Sequence, residues 1–156
     1  MPGGDELRDL MRRFPAGVAV VTVDLEGERL GLTIGTLIPL SLEPPLVGFA
    51  VRREAALHEL LRRAGTFGVS LLATGQEHIA QHFARGVPPI ALWAGIDVRQ
   101  SPGPPLLGGA IGWLSGNVWH EVPAGEDTFF VGEVLSVENG APRRPLVYVD
   151  RRYVPS

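Results

Sequence analysis

Cysteine and lysine are both missing from this 156-residue chain, and all 14 basic residues are arginine. Without cysteine there can be no disulfide, zinc-thiolate site or thiol nucleophile. Without lysine there can be no Schiff base and no P-loop lysine. No G-x-G-x-x-G follows a strand pattern, so a nicotinamide cofactor, if used, is not held in a Rossmann domain. No G-x-S-x-G elbow surrounds a serine. There is also no signal-peptide pattern and no 18-residue apolar run, which leads us to expect a cytoplasmic chain with no membrane span. A net charge of −3 gives no reason to expect a nucleic-acid partner.

What is present suits a folded domain. Hydrophobic residues make up 45% and charged residues 20%, a globular balance, and the length fits one domain over residues 1–156 with one core. Leu7, Leu10, Met11 and Phe14 recur at helical spacing behind Asp5 and Glu6, and Pro15 ends that segment. The run Val18 to Val23 is apolar on both faces and opens two strands joined by a turn at Glu26-Gly27. "LVGFAV" and "TFGVSLL" predict further strands, and "REAALHELLRRAG" and "GQEHIAQHFARG" predict short helices. The Pro/Gly-rich stretch from Val87 to Gly109 predicts an ordered excursion anchored by Trp93, Leu106 and Leu107. "AIGWLSGNVWHEV" and "DTFFVGEVLSVENG" predict two longer strands, with a hairpin signal at Asn139-Gly140, and "PLVYVDRRYV" a last strand and a tail. Six or seven strands with three helices and no βαβα alternation predict an antiparallel barrel with helical caps.

The segment "GLTIGTLIPLSLEPPLVGFAV" combines strand-like ends with a small polar centre. Pro39, Pro44 and Pro45 suggest that this centre is free of a sheet ladder and offers backbone amides. Arg52 and Arg53 follow a strand and precede a helix, a place suited to phosphate. A solvated loop is the alternative, since five Arg-Arg pairs occur in the chain. His78 and His82 are four apart on a helix but lack a third ligand, so no metal is expected. Trp113 and Trp119 are separated by an even number of residues and so should share a strand face.

From Phe14 to about Tyr153 the chain resembles the flavin reductase-like family of FMN-binding split barrels. "FPAGVAVVTV" is similar to the family's F-x-x-G-V-x-V-V-T strand, and "GLTIGTLIPLSLEPPL" to its Gly-x-Thr segment leading to Ser-Leu-Asp-Pro-Pro-Leu. "GTFGVSLLATGQEHIAQHFA", "GEDTFFVGEV" and "PLVYVDRRY" follow in order. The resemblance implies a mainly β fold, an antiparallel Greek-key split β-barrel with short flanking helices. It implies flavin contacts at Thr33, Gly35, Thr36, Leu37 and Ser41, phosphate contacts at Arg52 and Arg53, and Phe83 near the dimethylbenzene end. Asp127 and Tyr153 fall on the nicotinamide side, Asp127 where relatives carry histidine. No side chain is assigned a catalytic role.

The implied activity is NAD(P)H-dependent reduction of FMN, with FAD as an alternative flavin and NADH or NADPH as reductant. The implied partners are a second copy of the chain and a flavin-dependent oxygenase component. Two other readings stand beside it: a flavin-binding split barrel with different redox chemistry, and a non-catalytic split-barrel subunit.

Overall fold

The computed structural model describes all 156 residues. The doubly apolar run becomes the middle of β2 (Ala19–Leu25), where Val20, Val21, Thr22 and Val23 are fully enclosed. Helix α2 (Ala56–Ala64) packs against β2, and the Thr22 hydroxyl donates to the Pro105 carbonyl of the Pro/Gly-rich excursion at 2.6 Å. A two-residue turn at Glu26 and Gly27, both at positive φ, leads into β3 (Glu28–Ile34).

Seven strands form one antiparallel sheet in the order β3-β2-β6-β7-β8-β5-β4. The remaining ranges are β4 (Ile38–Leu42), β5 (Pro45–Arg52), β6 (Thr66–Leu71), β7 (Gly112–Ala124) and β8 (Asp127–Asn139). Strands β6, β7 and β8 run as a meander and β5 returns beside β8, which is the Greek-key arrangement. A second sheet orders β1 (Ala16–Gly17), β9 (Leu146–Val149) and β10 (Arg152–Pro155) as β1-β9-β10. The core joins Phe49, Phe67 and Phe130 from the barrel with Leu57, Leu60 and Leu61 of α2. Phe49 lies between the other two rings, edge-on to Phe67 at 5.2 Å and stacked on Phe130 at 5.9 Å.

Gly65 ends α2 in the left-handed conformation, as expected for its position after two arginines. Helix α3 (Glu77–Ala84) lies against β3, where the Thr33 hydroxyl donates to the Ala80 carbonyl at 2.7 Å. The excursion contains a single helical turn, α4 (Pro89–Leu92), and is anchored as expected. The Trp93 indole donates to the Arg29 carbonyl, and Leu107 is buried with its amide bonded to the Ser70 hydroxyl. Helix α1 (Gly4–Met11) forms at the expected place, yet none of its residues is buried. No helix is long and apolar enough to cross a membrane.

Four expectations change. Pro39 does not keep its segment out of the sheet, because β4 is an edge strand and a bulge between Pro39 and Ser41 absorbs the missing donor. Asn139-Gly140 does not make a hairpin: β8 ends there, and the chain crosses to the second sheet with the Gly140 amide bonded to the Ile111 carbonyl. The expected tail is β10, reached through a turn in which Asp150 and Arg151 both adopt positive φ. Trp113 and Trp119 part company because Trp119 is the unpaired residue of a bulge between Val118 and His120. Trp113 is buried, with its indole bonded to the Leu107 carbonyl and the Arg99 guanidinium 3.9 Å above its ring, while Trp119 is half exposed.

Candidate flavin site

Between the end of β3 and the end of β5 the barrel is split by a cleft of 320 Å³. Residues 32–36 form one wall, Ala50 to Arg52 the other, and Ala55 and Asp127 close the ends. The strands do not pair here. Instead the Thr36 hydroxyl accepts the Ala50 amide at 3.0 Å and lies 3.4 Å from the Ala50 carbonyl. Both threonine hydroxyls expected to meet a flavin are therefore engaged with protein, Thr36 with Ala50 and Thr33 with Ala80.

Gly35 lies on the rim of this cleft and of an adjoining cavity of 170 Å³ that also contains Thr33, Ala84, Tyr148 and Tyr153. It has no positive φ, and a Cβ there would meet only the Ala16 methyl at 3.5 Å and the Gly17 carbonyl at 3.9 Å. Neither backbone conformation nor neighbouring protein demands glycine at this position. A flat ring resting on the backbone would.

At the other end, Ala55 caps α2 without a side-chain hydrogen bond. The His58 amide donates to the Ala55 carbonyl at 3.0 Å but no side chain caps the turn, so an anion beside Arg52 would meet both the helix terminus and a guanidinium. Arg52 also lies 3.4 Å from Glu54. Arg53 is directed elsewhere. Its guanidinium donates to the carbonyls of Gly125 and Asp127, and its amide donates to the Glu126 carbonyl. It fastens the β7–β8 turn and thereby holds Asp127 at the cleft.

The structure thus brings Thr33, Gly35, Thr36, Arg52 and Asp127 together, with Tyr153 in the adjoining cavity. Burial raises the Tyr153 phenol above its usual pKa, helped by the neighbouring Tyr148, whose ring centroid is 5.0 Å away. Leu37 lines a separate apolar groove with Val18, Leu72 and Leu146. Ser41 is half-buried in β4, paired with Leu46 and outside the cleft. Phe83 is buried behind the wall, 5.2 Å from Trp93 and packed on Gly31, because α3 turns its apolar face to β3. His82 bonds the Leu92 carbonyl at 2.6 Å, and no three or more His, Cys, Asp or Glu side chains come together in a group that could hold a metal ion.

Sequence reasoning missed Ala50 and Tyr148. Ala50 acts through its backbone across a gap between non-adjacent strands, which leaves no local pattern. The alanine at the helix cap was visible as a missing Ser, Thr, Asp or Asn.

This split barrel, with its cleft between unpaired strand ends, defines the class. Residues 11–156 match the model of the flavin reductase like domain, and the chain belongs to that family. It is 39% identical over 150 residues to the reductase component of 4-hydroxyphenylacetate 3-monooxygenase from Thermus thermophilus, covering 96% of this chain and 94% of that protein. It is 33% identical over 156 residues to an NADH:FMN oxidoreductase of Rhodococcus erythropolis, covering 95% and 79%. Among solved structures, a Streptomyces globisporus NADH:FAD oxidoreductase in complex with NAD and FAD fragments superposes with a TM-score of 0.91 at 33% identity, covering 96% of this chain and 90% of that one.

Proposed function

We propose that this chain is an NAD(P)H:flavin oxidoreductase that binds FMN in the cleft between β3 and β5 and supplies reduced flavin to an oxygenase component. Family membership supports the reaction, and Gly35 is the observation that supports the site: a glycine that no protein contact requires, at the junction of two cavities. The backbone of residues 33–36 fits a ring edge that needs amide donors and a floor without bulk. Arg52 and the uncapped start of α2 fit a phosphate.

Bound flavin supplies a two-electron acceptor for hydride from the dihydronicotinamide ring of NADH or NADPH. The chain's own contribution is to hold two flat rings in contact and keep them oriented. Such a role needs no nucleophile or acid–base pair, in keeping with a cleft whose threonines are bonded to the scaffold. Asp127 and Tyr153 flank the side open to the reductant.

The chain works as one domain over residues 1–156 and as a homodimer. Its core draws on the barrel strands and α2 together. Leu7, Leu10 and Phe14 of the N-terminal segment, Leu42 of β4 and Val137 of β8 are all more than half exposed, a large apolar surface for one small barrel. Trp119, rather than Trp113, is the tryptophan available to that contact. A cytoplasmic setting agrees with a chain that has no cysteine.

The test of the site is Arg52→Ala. FMN affinity, read by quenching of flavin fluorescence, should fall about tenfold, the scale of one charge-assisted contact. Riboflavin, which has no phosphate, should change less than about twofold. Equal weakening of both flavins would remove the phosphate from Arg52. Light scattering tests the pair, and a mass of 16.8 kDa unchanged by FMN would exclude it.

A further inference from the structure

Past Arg52 the flavin cleft gives onto a second cavity of different character. It measures 190 Å³ and is lined only by Arg52, Arg53, Glu54 and Glu126, with no hydrophobic residue. Arg52 is the wall common to both spaces. A group attached to a phosphate held at Arg52, on the side away from the ring, therefore enters this second space.

The charges there are unevenly committed. Arg53 directs its guanidinium at the Gly125 and Asp127 carbonyls, one bond from each terminal nitrogen. Glu54 lies beside Arg52 at 3.4 Å. Glu126 has no salt-bridge partner, and its backbone is pinned by the Arg53 amide at 3.1 Å. Asp127 stands opposite Arg52 in the β5–β8 register. The cavity's two carboxylates balance its two guanidiniums in number, but Glu126 is the charge left without an ion-pair partner. A single phosphate can rest between Arg52 and the start of α2, but a second phosphate beyond it meets Glu54 and Glu126.

Resting on the flavin reading above, we propose that Glu126, with Glu54, makes this site select flavin mononucleotide over the dinucleotide. The pyrophosphate of FAD would extend into a cavity where the Glu126 carboxylate stands without an ion-pair partner, whereas FMN stops at Arg52. Arg53 is the positioning residue, since it holds the turn that presents Glu126. The carboxylates are exposed, so each contributes a few-fold and the effect is screened by salt.

The experiment compares the wild-type protein with Glu126→Gln and Glu54→Gln/Glu126→Gln, titrating FMN, FAD and riboflavin by flavin fluorescence at low salt and at about 0.5 M salt. Wild-type protein should bind FMN more tightly than FAD, with the gap narrowing in salt. Glu126→Gln should tighten FAD about threefold and the double variant about tenfold, with riboflavin unmoved and FMN shifting less than FAD. Both variants retain the backbone bond from Arg53, so the turn is preserved. Equal shifts for FMN and FAD would overturn the proposal. So would a lower KM for NADH in Glu126→Gln with FAD affinity unmoved, which would assign the charge to the reductant instead. Failure of all three flavins to bind would overturn the flavin reading itself and this inference with it, a result distinct from equal affinity for FMN and FAD.

Discussion

Thr36 and Ala50 are joined by a side chain acting where a sheet ladder would otherwise run: the Thr36 hydroxyl accepts the Ala50 amide at 3.0 Å and donates to its carbonyl at 3.4 Å. The contact spans the mouth of the barrel and sets the width of the cleft. Thr36→Val keeps the shape and removes both bonds. Urea unfolding should show a loss of about 1 kcal/mol, with weaker FMN binding, while Thr36→Ser restores both. A valine variant with unchanged stability and FMN affinity would show that the strands hold their spacing without the hydroxyl.

Gly31 is the close-approach glycine behind the cleft wall. A Cβ at this position would come within 2.8 Å of two ring carbons of Phe83 and 3.5 Å of the Trp93 ring. Phe83 is fully buried and cannot step aside freely. Gly31→Ala should therefore cost about 1–3 kcal/mol as an overpacking change. The companion variant Gly31→Ala/Phe83→Leu should recover part of that loss, as read by thermal unfolding.

Tyr153 links stability to alkaline pH. Its phenol titrates above 10.0 in the folded chain, first because burial disfavours the phenolate and then because of Tyr148. The folded state holds the proton more tightly than the unfolded one. The associated stability is complete below the unfolded pKa and is lost as pH rises through the folded value. Tyr153→Phe should flatten that decline above about pH 10 in denaturant titrations while leaving the neutral region nearly unchanged. The phenol is partly open to solvent, so the effect is small.

Asp127 occupies the cleft wall beside Arg52. Removing its charge should ease entry of an anionic reductant. Asp127→His should lower the KM for NADH about three- to tenfold with a smaller change in kcat, the range of one partly screened charge. Asp127→Asn separates charge from imidazole, since it removes only the former. Unchanged steady-state parameters in both variants would place Asp127 outside the reductant's path.

The parts of the fold that could be read from sequence are those governed by neighbours along the chain. The all-apolar Val18 to Val23 run gives the central strand, Gly65 the end of α2, and Glu26-Gly27 the first hairpin. Trp119 was misplaced because a bulge changes strand parity without any local signal, and Asn139-Gly140 because the same turn residues can end a strand at a crossover. The site shows the same division. Gly35 and Arg52 lie on single segments, and both line the cleft between β3 and β5. The Thr36–Ala50 bond, the turning of Arg53 toward the β7–β8 turn and the burial of Phe83 each depend on segments remote in sequence meeting in space.

Strand β4 has a further consequence for how copies of this chain can meet. It is an outermost strand and carries Ile38, Leu40 and Leu42 in the open, a composition that invites another chain to add a strand. Pro39 removes one donor from that border, the bulge before Ser41 breaks its spacing, and Pro44 and Pro45 remove two more donors where the hairpin turns back. A continuous ladder cannot form along it. Growth by strand addition at β4 is blocked, and the border whose exposed side chains look most prone to fibrillar growth is the one its prolines close.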